Sequence, residues 1–243
     1  MPVSISIELK IWGDYAAFTA PETRVERLSY PVCTPSAARG VIEAIFWKPQ
    51  IRYEIDRISV LRPIQFVSIR RNEIQDTIPV RGGAGVNAWM RDPSGYTPYF
   101  VDSAGRHDAQ GENRTQRTST ILRDVAYLIA ARLIVPNPTA ADPPAKYREM
   151  FTRRAAAGQC VRQPALGLRE FAAYFTLPDG TEKPVPENRD LGIMLYDLDY
   201  PAGTAAAPGA RPPQCALFAP AKLENGVLDV TAMRQNLFKK ASL

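Results

Sequence analysis

The chain has 243 residues, of which 45% are apolar and 23% charged, enough for one large domain or one domain with a small appendage. No apolar run reaches 18 residues, the N-terminal MPVSISIELKIWGDY lacks a signal-peptide pattern, and three scattered cysteines form no C-x-x-C; no membrane span, secretory leader, zinc knuckle or disulfide framework is expected, and a reducing cytoplasmic setting is. The net charge of +5 is unevenly placed: the basic excess lies in residues 1–178, whereas residues 179–243 carry seven basic against eight acidic side chains.

Residues 3–12 alternate, with Val3, Ile5, Ile7, Leu9 and Ile11 on one face, and read as a strand. After a polar loop, Thr34-Pro35 supplies a cap and a first-turn proline for a helix that ends before Pro49. Its apolar stripe is Ala38, Val41, Ile42 and Ile45; Phe46 falls on the other stripe with Arg39 and Glu43, off the core and free to stack on a base. Residues 50–61 read as a second strand with a phase shift between Ile55 and Ile58, and residues 64–72 as a third, ending in Arg70 and Arg71. Residues 74–117 are rich in glycine and polar side chains and read as an excursion and mobile loop. The GGAG within it lacks the Lys-Ser/Thr of a phosphate-binding loop.

Residues 122–135 are apolar enough for either a strand or a helix. The alternation of Val125, Tyr127, Ile129, Ala131 and Leu133 selects the strand. A helix over 143–157 follows, with Asp142 as N-cap, Pro143 at its first position, Gly158 as its stop and Tyr147, Met150, Phe151 and Ala155 facing the sheet. A strand near 170–177 completes the order β-α-β-excursion-β-α-β. That order predicts an α+β chain with a ferredoxin-like (RRM-like) domain over 1–178. Segments 191–200 and 227–230, either side of a Pro/Ala/Gly linker at 201–213, predict a small antiparallel β appendage over 179–243.

The stretch from Lys146 to Phe171 holds six basic and two acidic side chains. Of the 30 basic residues 23 are arginine, which suits bidentate phosphate contact and stacking on bases. A lysine at the start of a capped helix, beside free N–H groups, is a receptor for phosphate oxygens. Nucleic acid is the expected partner.

Several strings together resemble the subtype I-C, Cas5d subfamily of CRISPR-associated proteins, within the repeat-associated RNA-processing superfamily. They are residues 12–49, PIQFVSIRRNEI at 63–74, LRDVAYLI at 122–129, FTRRAAAGQC at 151–160 and GLREFAAYF at 167–175. The resemblance implies a ferredoxin-like fold with a small C-terminal β domain, and metal-independent cutting of CRISPR repeats in precursor RNA without a cofactor. It implies that the enzyme then stays on the 5′ handle of the guide and joins backbone and large subunits in the subtype I-C effector complex; contact with target DNA inside that complex stays open. The family site is a tyrosine on the first helix with a lysine–histidine pair at the second. The matching positions are Phe46, Lys146 and Tyr147, so the lysine is kept while the tyrosine and histidine are replaced.

The chemistry needs a proton acceptor, a proton donor and positive charge on the phosphorane. Lys146 fits the charge role. Tyr147 beside it is either a weak acid or base, favoured as phenolate by the cation, or a core residue. His107 is the only histidine, which excludes a two-histidine pair; Tyr15, Tyr30 and Tyr53 are possible substitutes for the missing hydroxyl. Arg39, Lys48, Arg70, Arg71, Arg153, Arg154 and Arg162 are the expected RNA contacts, though each arginine could instead close a salt bridge. Two other readings fit less well: a non-catalytic subunit that caps the 5′ handle, and a general single-stranded RNA-binding module.

Overall fold

The computed structural model describes residues 2–23, 26–74, 80–83, 85–95, 114–139, 142–199 and 215–240. Most of the excursion, His107 included, and the 201–213 linker lie outside the described residues. Among the described residues are nine strands and four helices, in the order β1 (Val3–Ala16), β2 (Arg27–Leu28), α1 (Pro35–Ile45), β3 (Arg52–Val60), β4 (Phe66–Ile74), α2 (Val86–Arg91), β5 (Arg114–Val135), α3 (Pro144–Ala156), β6 (Tyr174–Thr176), β7 (Arg189–Asp199), β8 (Cys215–Glu224), β9 (Val227–Asp229) and α4 (Val230–Lys240). The chain is therefore α+β and dominated by an antiparallel sheet, ordered β6-β1-β5-β3-β9-β8-β7, with β2 and β4 also pairing with β5.

The chain forms two compact units, Met1–Val67 with Thr120–Leu243, and Ser68–Ser119. In the smaller unit, Arg117 Nε lies 3.6 Å from Glu73 Oε2. The larger unit holds the main core. β1 pairs with β5 along nearly its whole length, Val3 opposite Val135 and Ala16 opposite Leu122. Alternation then sends Ile7, Leu9 and Ile11 of β1 and Val125, Tyr127, Ile129, Ala131 and Leu133 of β5 into the interior, all buried. Burial of each large aliphatic side chain contributes roughly 1.5–3 kcal/mol, which is why this alternation fixes the register.

The phase shift expected after Ile55 is a bulge between Ile55 and Arg57 in the β3–β5 pairing. Asp56 sits at the bulge. Its carboxylate accepts from Arg132 Nε at 3.0 Å and lies 3.3 Å from Arg234 Nη2, while Glu54 takes Arg132 and Arg234 at 3.1 and 3.2 Å. This network anchors α4 to β3. Neither α4 nor β8 is foreseen from the sequence: Pro220 and alternating alanines disguise β8, although Asp229 Oδ1 accepts from Ala232 N at 3.0 Å as a helix cap would.

α1 forms as the Thr34-Pro35 signal predicts. Thr34 Oγ1 accepts from Ala37 N at 3.2 Å, and Ala38, Val41, Ile42 and Ile45 are buried. α3 ends as predicted at Gly158, whose φ of +64° supports bonds from Gly158 N to Ala155 O and Gln159 N to Arg154 O. Its start differs from expectation. Pro143 occupies the N-cap position without a side-chain cap, because the Asp142 carboxylate is taken by Lys146.

Candidate functional site

The end of α1, the start of α3 and β3 meet at one corner of the larger unit. Phe46 ends α1 and is 1% exposed, correcting the expectation that it stands off the core: its ring lies against Tyr147, centroids 6.5 Å apart and inclined by 37°. The physical reason is that Phe46 terminates the helix in an extended conformation, so helical spacing no longer sets its direction. Tyr53 Oη of β3 donates to Phe46 O at 2.9 Å, and the Tyr53 ring lies 6.3 Å from that of Phe151. Tyr53 is thereby a structural residue of the corner. Tyr30 is also buried, whereas Tyr15 is 45% exposed and packs on Phe171.

Above this aromatic floor stands Lys146. Its Nζ lies 5.9 Å from the centre of the Tyr147 ring and donates to Asp142 Oδ1 at 2.9 Å. Asp142 also accepts a hydrogen bond from the Tyr147 hydroxyl. The hydrogen bonds from Lys146 and Tyr147 hold the Asp142 carboxyl below its ordinary range, and the same Asp142 contact holds the Lys146 ammonium above its own. The Tyr147 phenol is raised, by burial first and then by Asp142, which together outweigh the lowering from Lys146. The phenolate expected from its cationic neighbour is therefore not the favoured form. Asp142, assigned to a helix cap from the sequence, instead pairs with Lys146; the i, i+4 spacing was the signal for that contact.

The expected RNA contacts divide into groups. Arg39 is engaged within the chain: Nε and Nη2 donate to Asp197 at 3.0 and 2.7 Å, and Nη1 donates to Glu43 Oε1 at 2.7 Å. It clamps α1 to β7 rather than facing solvent, so the salt-bridge alternative holds there. Lys48, Arg153 and Arg162 are exposed, and Arg154 is half-buried. Arg70 and Arg71 lie on β4 in the smaller unit, the first exposed and the second half-buried. Two further exposed side chains lie nearby in the chain, Arg148 counted in the basic stretch but not among the expected contacts, and Trp47 not singled out in the sequence. Trp47, 50% exposed, follows the buried Phe46 and is the aromatic of that pair that faces solvent; Arg148 lies two residues after Lys146.

Together these features define an antiparallel-sheet α+β protein whose helix-end corner joins a lysine, a carboxylate and a phenol, with exposed cations on the same helix. The family model of CRISPR-associated Cas5 proteins of the Cas5d type matches residues 6–231, and the chain belongs to that family. A CRISPR pre-crRNA endoribonuclease Cas5d of Mannheimia succiniciproducens is 44% identical over 233 residues, which is 92% of this chain and 94% of that protein. One of the same name from Thermus thermophilus is 42% identical over 243 residues, covering 96% and 95%. A solved CRISPR-associated protein superposes with a TM-score of 0.62 at 22% identity, over 97% of both chains. Among the described residues, no helix is long and apolar enough to cross a membrane.

Proposed function

We propose that this chain cuts CRISPR repeats in precursor RNA, as the names of the two relatives say of those proteins, and stays on the 5′ handle as a subunit of the subtype I-C effector complex with backbone and large subunits. The observation that carries this reading is identity of 42–44% along more than nine-tenths of the chain to proteins named for that activity. The strand order β6-β1-β5-β3, with α1 and α3 as crossovers, supports a ferredoxin-like arrangement.

In the proposed reaction the 2′-OH loses its proton and its oxygen attacks the adjacent phosphorus. The P–O5′ bond breaks, the departing 5′ oxygen takes up a proton, and the products are a 2′,3′-cyclic phosphate and a 5′-OH. No metal or cofactor is needed for this sequence. Lys146 supplies positive charge to the phosphorane, exchanging Asp142 for a phosphoryl oxygen as the phosphorane forms. Tyr147 remains a phenol, which suits a donor rather than an acceptor. Phe46 has no proton to move and supports the Tyr147 ring from below. Lys48, Arg70, Arg71, Arg153, Arg154 and Arg162 serve the RNA backbone.

A non-catalytic handle-capping role is favoured by one observation: Phe46 has no proton to give and Tyr147 is buried, so neither offers RNA an exposed acid or base. Incubation of the purified chain with the CRISPR repeat RNA encoded beside its gene, in EDTA, separates the two. A single cut leaving a cyclic phosphate establishes the nuclease; tight binding with no cut establishes the cap.

A further inference from the structure

A second feature of the larger unit lies on α1 away from Lys146. Ala37, Gly40 and Ala44 form one wall of an open cleft of about 620 Å³, and the loop after α3 brings Arg162, Gln163 and Arg169 to the other. This volume falls within the roughly 300–1,000 Å³ of small-ligand sites.

Gly40 lies mid-helix, where glycine weakens a helix relative to alanine. A Cβ built there meets nothing within 4 Å. Packing within the chain therefore does not explain the glycine, whereas room for a molecule from outside does. The opposite wall is held in place. Ala44 O accepts from Val161 N at 2.8 Å and from Arg162 N at 3.3 Å, and Ala173 N donates to Pro164 O at 2.9 Å. Gln163 Nε2 donates to Ala173 O at 3.1 Å. Gly167 has φ +88°, and a Cβ there would fall 1.9 Å from Ala17 O, so this turn accepts only glycine.

We propose that this cleft receives one nucleotide of single-stranded RNA, with the phosphate between Arg162 and Arg169 and the base lying on the Ala37, Gly40 and Ala44 surface. The inference rests on the RNA reading above and adds a binding position to it. Both arginines are exposed, and none of the described residues lining the cleft is acidic. A phosphodiester carrying a flat ring uses both the cations and the low wall of glycine and alanine; an acidic peptide would use only the cations.

The test compares Gly40→Leu and the double variant Arg162→Ala/Arg169→Ala with their parent, all in the full chain carrying Lys146→Ala to slow cutting. Fluorescence anisotropy with the synthetic repeat RNA is read across a salt series, and thermal melting checks the fold. Gly40→Leu is expected to melt no lower than its parent yet bind at least about fivefold more weakly, because the leucine occupies the wall on which the base would lie. The double variant is expected to reduce the log–log salt slope by about 0.7, the value of the one single-strand phosphate the two arginines share. If the parent binds repeat RNA and both variants match it in affinity and slope, the cleft is not an RNA site while the RNA reading stands. If variants bind RNA normally but fail to co-purify with the other subunits of the complex, the cleft faces protein and the proposal is overturned. If the parent does not bind repeat RNA at all, the RNA reading and the cleft fall together.

Discussion

Lys146 Nζ donates to Asp142 Oδ1 at 2.9 Å across one helical turn, so the cation at the head of α3 is held by a carboxylate in the RNA-free chain. In the proposed mechanism the developing phosphorane displaces that carboxylate. The proposed nuclease then depends on Lys146 more in the transition state than in binding, because charge on the phosphorane exceeds that on the ground-state diester. Lys146→Ala is expected to slow repeat-RNA cleavage at least about tenfold while changing affinity little, the pattern of an interaction made mainly at the transition state. Single-turnover rates beside equilibrium binding decide it; an unchanged rate removes Lys146 from the mechanism.

Removing the carboxylate, by contrast, is expected to act on binding. Asp142→Ala leaves Lys146 without that partner, and the variant should bind repeat RNA more tightly with a salt slope steeper by about 0.7, the value of one added single-strand phosphate contact. A slope equal to that of the parent would mean that Lys146 does not reach the backbone.

Tyr147 gives a pH prediction. Its folded-state pKa is raised, by burial and then by Asp142, above the ordinary phenol value of about 10. The folded chain thus favours the neutral phenol; that preference stabilises the fold at all pH below about 10 and is lost as pH rises through the folded value. The cleavage rate should show no decline from Tyr147 ionisation up to about pH 9. A falling limb below pH 9 that disappears in Tyr147→Phe would contradict this assignment.

Arg39 should behave as a structural residue. Arg39→Ala leaves Asp197 and Glu43 half-buried without their cation, and is expected to cost about 1–3 kcal/mol, lowering Tm by about 2–12 °C. RNA affinity should stay within about twofold at a temperature where both proteins are folded, as for a side chain outside the interface. Strong loss of binding with normal melting would return Arg39 to the RNA contacts.

Phe46 tests the aromatic floor. Phe46→Ala opens a cavity in the core and should destabilise by about 3–5 kcal/mol. A melting temperature close to that of the parent would show that the ring does not support Tyr147.

Much of the fold is legible in the sequence because its signals are local. Thr34-Pro35 and Gly158 punctuate helices through backbone geometry that belongs to those residues themselves, and the alternation of Val125 to Leu133 marks a strand buried on one face. Even the β3 bulge is visible as a slip in phase between Ile55 and Ile58. β8 and α4 are not, since alanine alternation around Pro220 is a weak pattern that only pairing with β7 and β9 stabilises.

At the candidate site the limit is a different one. The residues themselves determine that arginine-rich charge gathers around α3 and that a lysine opens it. Whether a given cation faces RNA or a carboxylate depends on groups far away in the chain: Asp197 takes Arg39 across 158 positions, and no periodicity records that distance. Tertiary packing likewise turned Phe46 inward and left Trp47 exposed, because burial is decided by what lies opposite a side chain, and only the folded chain contains that neighbour.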